Sequence, residues 1–301
     1  MKRAVSISIG SSKRDKAVEV ELLGEQVRIE RIGTDGNMEL AAQKYRELDG
    51  KVEAFGVGGA DLGLMVADHW YPLHSVKPMV RYIEKTPVVD GTGLKNTLEN
   101  RVVTVLEKEV SSYLDQVGRR VLITLGADRW GMSAAFAEAG YECRFGDLMF
   151  GLGVGIPLTT LNQVKRLAGL VMPVVGRLPF EWVYPTGEKQ EKRDPKWQQH
   201  YQWASIIAGD CHYVKRHMPP DLAGKIIVTN TTTTADVELF KLAGVKYLLT
   251  TTPPLDGRSF GTNMMEAALI AVSGKGRVLT HAELAAMLDK LGLQPQIQEL
   301  N

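Results

Sequence analysis

The chain has 301 residues, 36 basic against 35 acidic side chains, and a hydrophobic fraction of 44%. A net charge of +1 gives no reason to expect nucleic acid or a membrane surface as a partner. No apolar run approaches the roughly 18 residues that cross a bilayer, no signal peptide is evident, and Cys143 and Cys211 lack metal-ligand spacing. We therefore expect a cytoplasmic protein of one large or two medium domains, without a bound metal.

The first third of the chain predicts an α/β domain over residues 1–118. Its three opening runs alternate apolar and polar residues, which predicts an antiparallel meander. Gly118 ends a helical pattern, and we place a domain boundary there. The predicted elements are strands at 3–9, 17–23, 26–32 and 52–58 and helices at 38–48 and 101–117.

The rest of the chain alternates strands and helices, which is typical of a parallel sheet with crossover helices. We expect a Rossmann-like nucleotide-binding domain over 119–273 and a C-terminal helical segment over 274–301. Thr280 and Glu283 have the spacing of a capping box, which predicts the start of the last helix. The predicted elements are strands at 120–125, 141–145, 225–229 and 245–250 and helices at 131–139, 158–173, 197–208, 234–243, 262–273 and 281–291.

A glycine loop follows the strand at 120–125. Gly126 and Gly131 stand where a dinucleotide loop has its first and third glycines, but Asp128 occupies the place of the second. A carboxylate there repels a pyrophosphate unless it turns away or pairs with Arg129. Asp147 comes about twenty positions later, where a carboxylate bonds the ribose of NAD, while a plain α/β unit also needs a glycine turn. We predict binding of NAD or NADP by Gly126, Asp128, Arg129, Trp130, Gly131, Asp147, Asn230, Thr231 and Thr232.

Two later strand ends are rich in hydroxyl groups, at 229–234 (TNTTTT) and 250–263 (TTTPPLDGRSFGTN). Ligands of open α/β sheets gather at the carboxyl ends of strands, so these runs are candidates for a pocket wall. Helix capping is the alternative, by Thr233 or Thr234 in the first run and by Thr262 or Asn263 in the second.

Two groups of residues are candidates for catalysis. Lys95 with Asp90, in a glycine-rich turn, suits proton transfer from an alcohol if the pKa of the lysine is lowered. His212 with Asp210 is the second acid–base candidate. An exposed lysine, a turn-forming aspartate and an interdomain polar cluster are the alternatives. The predicted substrate-binding residues are Asn96, Thr97, Thr262 and Asn263.

The N-T-T turn at 230–232 and the later D-G-x-x-F…E-A-A-L pattern resemble the C-terminal half of the shikimate and quinate dehydrogenases. The stretches TPVVDGTGLKNTLE (86–99), RLPFEWVYPTGEK (177–189) and DGRSFGTN (256–263) resemble a bacterial group labelled quinate 5-dehydrogenase. The resemblance implies NAD(P)-dependent oxidation or reduction of a small hydroxy or keto compound, such as a polyol acid. The chain departs from the family in two ways. It lacks the family's N-V-T-x-P-x-K stretch, and its Ser6 and Ser8 stand in a different setting from the family's N-terminal S-x-S motif.

Two other readings compete with the dehydrogenase. Asp128 in the phosphate loop favours a non-catalytic protein that binds a nucleotide or another small ligand. The opening hairpin faintly resembles the phosphate-binding hairpin of actin-like sugar kinases, but Ser6 and Ser8 stand where an aspartate is expected. We expect a small molecule as the partner and leave a homodimer open.

Overall fold

The computed structural model describes residues 1–183, 194–252 and 261–301, which form two α/β lobes. Each lobe is built around one mainly parallel sheet, and a small hairpin accompanies the first. The α/β class predicted from the alternating strand and helix patterns is therefore confirmed.

The first lobe has a five-stranded sheet in the order β2-β3-β1-β4-β7. Its strands are β1 (Lys2–Ser8), β2 (Lys16–Leu22), β3 (Glu25–Gly33), β4 (Ala54–Gly58) and β7 (Val88–Val89), while β5 (Gly63–Val66) and β6 (His69–Pro72) form the hairpin. Only β2 runs antiparallel to its neighbour in this sheet.

The predicted antiparallel meander is wrong. The strands β2 and β3 do form a hairpin, but β1 pairs parallel to β3 and also parallel to β4. Five consecutive residues at the end of β1 are buried, from Ala4 to Ser8, because this strand lies in the middle of the sheet. A central strand needs partners on both sides, and a meander would have left β1 at an edge.

The second lobe has a six-stranded sheet in the order β9-β8-β10-β11-β12-β13, in which only β13 is antiparallel. Numbered along the chain, this order begins 2-1-3, one of the common doubly wound arrangements. Two strands of this sheet were missed from the sequence: β10 lies in a segment predicted as helical, and β13 follows the last helix. The strands are β8 (Arg120–Ile123), β9 (Glu142–Phe145), β10 (Ile206–Ala208), β11 (Ile226–Thr229), β12 (Tyr247–Thr250) and β13 (Gln296–Glu299).

Helices cover both faces of both sheets. They are α1 (Met38–Leu48), α2 (Lys77–Val80), α3 (Thr92–Glu99), α4 (Val102–Val117), α5 (Trp130–Glu138), α6 (Leu161–Val175), α7 (Phe180–Val183), α8 (Gln198–Trp203), α9 (Cys211–His217), α10 (Thr234–Leu242), α11 (Thr262–Ser273) and α12 (His281–Lys290). A π-helical turn, Asp147–Gly151, follows β9. Helix α4 packs in the core of the second lobe, whereas α11 packs on β1, β3 and β4 of the first. The chain therefore passes between the lobes more than once.

Two helix starts follow from the sequence and a third does not. Thr280 with Glu283 forms the predicted capping box, and Thr233 caps α10. Neither Thr262 nor Asn263 caps α11, whose first turn follows Gly261 without a side-chain cap. Helix α6 continues past Pro173, where the sequence predicted its end, because a proline in the final turn removes only a terminal hydrogen bond.

The lobes share buried surface. Helix α6 places Val164 in the core of the second lobe and Ala168 and Met172 in a core of the first. Gly131 at the start of α5 lies against the backbone of Asn96 in α3. Within the described part of the chain, no helix is long and apolar enough to cross a membrane.

Candidate functional site

The strand order of the second sheet reverses at β8, which lies between β9 and β10. Ligands of doubly wound proteins bind at such a reversal, outside the carboxyl ends of the strands. Here β8 is followed by the loop that carries Asp128 and Arg129, and β10 is followed by Asp210. Helix α3, which carries Lys95 and Glu99, packs against α5 beside this loop. We call Lys95, Glu99, Asp128, Arg129 and Asp210 the charge cluster.

Arg129 is the centre of the charge cluster. Its Nη1 donates to Glu99 Oε1 at 3.0 Å and its Nη2 to Asp210 Oδ2 at 2.6 Å. Its Nε lies 3.0 Å from Asp128 Oδ2, at ion-pair distance but without hydrogen-bond geometry. Burial alone would lower the pKa of Arg129, but the three carboxylates outweigh it and raise the pKa above its ordinary value. Arg129 therefore ties two strand ends of the second lobe to α3.

Lys95 pairs with Asp128, with 3.5 Å between Nζ and Oδ1. Burial would lower the pKa of Lys95, but the charge of Asp128, supported by Asp61 and Glu99, raises it above its ordinary value. The same contact acts on Asp128: burial would raise its pKa, but Lys95 and Arg129 hold it below the usual range. Both groups are therefore charged at neutral pH.

The predicted catalytic pair of Lys95 with Asp90 is not formed. Asp90 Oδ2 accepts from the backbone N–H of Leu62 at 2.6 Å, and its Oδ1 accepts from that of Thr92 at 2.9 Å. These bonds hold the turn before α3. Asp90 therefore stabilises the backbone, and Lys95 forms its ion pair with Asp128 instead. The lowered lysine pKa that proton transfer requires is also absent, because the neighbouring carboxylates raise it.

The glycine loop after β8 is closed by its own chain. Asp147, the predicted ribose ligand, accepts from the backbone N–H of Gly126 at 3.0 Å and of Ala127 at 2.8 Å. Burial raises the pKa of Asp147, and these two amide bonds counteract the rise. A Cβ at Gly131 would lie 2.7 Å from Asn96 O, so this glycine serves helix contact. The carboxylate thus takes amides that a pyrophosphate would use.

In the second acid–base candidate, the Asp210 carboxylate contacts the backbone of His212 and not its imidazole. Asp210 caps α9, and its Oδ1 accepts from the backbone N–H of His212 at 2.9 Å, while the imidazole is exposed. Asn230 Nδ2 donates to Asp210 Oδ2 at 2.9 Å, which joins the end of β11 to the charge cluster. Thr231 is exposed and Thr232 half-buried, both beyond that strand end.

The four predicted substrate-binding residues do not line one pocket. Asn96 is buried beneath α5, and the Thr97 hydroxyl donates to Gly93 O at 2.8 Å and lies 3.0 Å from His281 Nδ1. Asn263 Nδ2 donates to Ser6 Oγ at 2.7 Å, and Thr262 lies against Gly91. These polar groups fix α3 and α11 to the first lobe. Trp130, the remaining nucleotide candidate, is half-buried between two hydrophobic cores.

Sequence reasoning missed two members of the site, Glu99 and Tyr213. Glu99 is fully buried, so burial raises its pKa while Arg129 lowers it, and its Oε2 has no hydrogen-bond partner. Tyr213 lies on α9, where burial and the charges of Asp128 and Asp210 raise its pKa. A glutamate near the end of a polar helix gives no signal in sequence, because its significance lies in an arginine thirty positions away.

Two predicted features fall partly outside the described residues, namely the later parts of RLPFEWVYPTGEK and most of DGRSFGTN. In the described parts, no group of histidine, cysteine, aspartate and glutamate side chains could hold a metal ion.

Comparison with known proteins gives a family without an assigned activity. Residues 93–300 match the model described as "Domain of unknown function (DUF8754)", and residues 3–90 match "Domain of unknown function (DUF8753)". No curated protein matches. A Mycobacterium smegmatis protein is similar at 12% identity over 97% of this chain and 95% of its own, with a TM-score of 0.33. One from Mycobacterium smegmatis in complex with β-D-fucofuranose shows 11% identity, 97% and 95% coverage and a TM-score of 0.32.

A third similar structure is a sugar ABC transport system substrate-binding protein from Bordetella parapertussis, at 11% identity over 98% of this chain and 83% of its own, with a TM-score of 0.33.

The dehydrogenase interpretation is wrong. The two family models that match are described as domains of unknown function, and neither is a shikimate or quinate dehydrogenase family. The structure of the loop after β8 also argues against a dehydrogenase. Asp147 occupies the backbone amides of this loop, and Lys95 pairs with Asp128 and not with the expected Asp90. Binding of NAD or NADP, as distinct from the dehydrogenase reaction, stays a prediction. The match over residues 93–300 identifies the chain as a member of the DUF8754 family.

Proposed function

We propose that the protein binds a small, uncharged, hydroxyl-rich molecule at the charge cluster, without hydride transfer. The observation that carries the proposal is the Lys95 ammonium, which has three N–H donors and meets Asp128 only at 3.5 Å, the long limit of a hydrogen bond. Donors of this kind, beside partly exposed carboxylates at the reversal of the sheet, are suited to a ligand that both donates and accepts.

The charge balance favours a neutral ligand. The cluster contains two cations and three carboxylates, so it offers no excess positive charge to an anion. Asp128 and Asp210 are 26% and 20% exposed, and each keeps lone pairs for hydroxyl donors. Tyr213 follows Asp210 on α9 and is half-buried, and pockets for small molecules combine aromatic rings with few polar groups. A monosaccharide or polyol has both kinds of surface.

The proposal is tested by calorimetric titration with neutral monosaccharides and polyols, their amine and carboxylate analogues, and NADH and NADPH. We expect the neutral compounds to bind more tightly than their charged analogues. Lys95→Met should weaken that binding at least tenfold, because one buried charged donor contributes roughly 1.5–3 kcal/mol.

Lys108→Met is the matched control, since Lys108 is a surface lysine of α4 with 71% exposure. It should bind as the wild type does. Undiminished binding by Lys95→Met, or no binding of any neutral compound at millimolar concentration, would refute the proposal.

A further inference from the structure

The first lobe has a reversal of its own at β1, which lies between β3 and β4. This strand ends at Ser8, and the loop that follows is held firmly. The backbone N–H of Asp35 donates to Gly10 O at 3.1 Å, and that of Gly36 donates to Ile9 O at 2.8 Å. Arg31 Nη1 donates to Ser11 O at 2.9 Å. The loop is therefore preorganised at a position where ligands of parallel sheets gather.

Three polar groups converge on the side of Gly10 where another residue would carry its side chain. A Cβ there would lie 3.2 Å from Arg31 Nη2, 3.3 Å from Arg14 Nη2 and 3.4 Å from Ser8 Oγ. The φ angle of Gly10 is not positive, so the backbone does not require glycine. A methyl group at this position would already press on the two guanidinium groups and the hydroxyl, so the three polar groups converge on one point beside Gly10.

The Ser8 hydroxyl has a proton to give. Its oxygen is buried and accepts from the backbone N–H of Gly10 at 3.2 Å and from Arg31 Nη2 at 3.0 Å. A hydroxyl has two acceptor lone pairs and one donor, so both lone pairs are engaged while the hydrogen is not. Among the residues that the structure describes, no acceptor takes this proton.

Of the two arginines, only Arg31 has an ion-pair partner in the described part of the chain. It pairs with Asp15 at 2.9 Å and also feels the negative charge of Asp35, whereas Arg14 forms no ion pair there. Burial, and then repulsion from the charge of Arg14, lowers the pKa of Arg31. An anion beside Gly10 would relieve that repulsion and accept from both arginines.

We propose that Ser8, Gly10, Arg14 and Arg31 form a binding site for a phosphate group, free or esterified. Its donors come from three different side chains, which suits a tetrahedral anion with several oxygens. A planar carboxylate would be matched by one guanidinium in a two-point contact. The site belongs to the first lobe and is independent of the charge cluster in the second.

The test is calorimetric titration of the full chain with inorganic phosphate, glycerol 3-phosphate and acetate, at constant ionic strength with chloride as the background anion. We expect phosphate to bind at least tenfold more tightly than acetate. Tighter binding of glycerol 3-phosphate would identify an ester as the ligand, and equal or weaker binding would identify the free anion. Both results support the site.

Two variants locate the binding. Arg14→Met removes an exposed cation that has no ion pair among the described residues, and Gly10→Ala sets a methyl group against the flexible ends of side chains, so both should fold. Each should weaken phosphate binding at least tenfold. Arg166→Met, at an exposed arginine of α6, is the charge control and should change it less than twofold.

Equal losses in Arg14→Met and Arg166→Met would overturn the proposal, and so would unchanged binding in Gly10→Ala or a wild type that prefers acetate. Lys95→Met should keep phosphate binding, so failure at this site is distinguishable from failure at the charge cluster.

Discussion

The loops after β8 and after β1 occupy equivalent places, each beyond the strand where its sheet reverses, yet they treat charge in opposite ways. In the second lobe the chain's own carboxylates satisfy the loop: Asp147 takes two backbone amides, and Arg129 meets three carboxylates. In the first lobe Arg14 and Arg31 converge on Gly10, where Asp15 pairs with Arg31 and Arg14 has no ion pair among the described residues. A strand end alone therefore does not predict a phosphate site, because the chain itself can occupy the donors.

The largest expected effect comes from removing Arg129, whose guanidinium contacts three carboxylates beside the second-lobe loop. Arg129→Met leaves Glu99 buried with an uncompensated charge and frees Asp128 and Asp210 from their shared partner. Removing one partner of a buried ion pair costs about 3–5 kcal/mol, so we expect a loss of that size in the free energy of unfolding. Urea denaturation at pH 7 measures it.

The double variant Arg129→Met with Glu99→Gln serves as the control, because it removes the buried charge together with its partner. It should recover part of the lost stability. A loss below about 1 kcal/mol in the single variant would show that Arg129 does not hold the lobes together.

A second prediction concerns Glu266 of α11, which fixes the start of α3 to the first lobe. Its Oε2 accepts from the backbone N–H of Leu94 at 3.1 Å. Burial, with a smaller contribution from Asp90, raises the pKa of Glu266 to about 7. Because the folded state holds the proton more tightly, stability is fully present below the ordinary pKa of 4.5 and is lost as pH rises through 7. The loss approaches about 3 kcal/mol.

Glu266→Gln keeps the acceptor oxygen and cannot ionise. Its free energy of unfolding should therefore change little between pH 5 and pH 8, and at pH 8 it should exceed that of the wild type by about 2–3 kcal/mol. Denaturation curves at both pH values decide the question. A wild-type stability that rises over this range would contradict the assigned direction.

The third prediction concerns Asp147, whose carboxylate holds the second-lobe loop through two backbone amides. Asp147→Asn leaves one acceptor oxygen where two backbone N–H groups, those of Gly126 and Ala127, now each have their own. A buried donor without a partner costs about 1–3 kcal/mol, and we expect the lower half of that range because the loop can adjust. Thermal unfolding measures the loss, and Asp115→Asn on the surface of α4 is the neutral control. An unchanged melting temperature would show that Asp147 does not organise the loop.

The sequence predicted most helices and strands because each carries a local signal. Thr280 and Glu283 illustrate this, since a capping box is complete within four residues. The strand β10 was missed because three residues are too few to show alternation, and its burial comes from β8 and β11 on either side. The parallel pairing of β1 was missed because the turn at Gly24 concerns only β2 and β3.

The sequence indicates which residues follow the strand ends, but it does not indicate how their side chains pair. The sequence put Asp128 and Arg129 in the loop after a predicted strand and left open whether Asp128 turns away or pairs with Arg129, and in the structure Arg129 Nε lies 3.0 Å from Asp128 Oδ2. The role of Asp147 could not be derived from spacing, because a carboxylate after β9 can point toward a ribose or back to the amides after β8. The choice between Asp90 and Asp128 as partner of Lys95 likewise depends on packing of α3 against α5, which joins segments far apart in sequence.

The smallest expected effect on stability comes from Arg14, and it completes the comparison with Arg129. Arg14 is exposed and has no ion pair among the described residues, and its charge adds to burial in lowering the pKa of Arg31. Arg14→Met should therefore change the free energy of unfolding by less than about 0.5 kcal/mol in phosphate-free buffer. In saturating phosphate the wild type should gain stability and the variant should not, because only a ligand bound to the folded state stabilises it. A large loss in the free energy of unfolding without phosphate would mean that Arg14 stabilises its loop, as Arg129 does, and is not available to bind an anion.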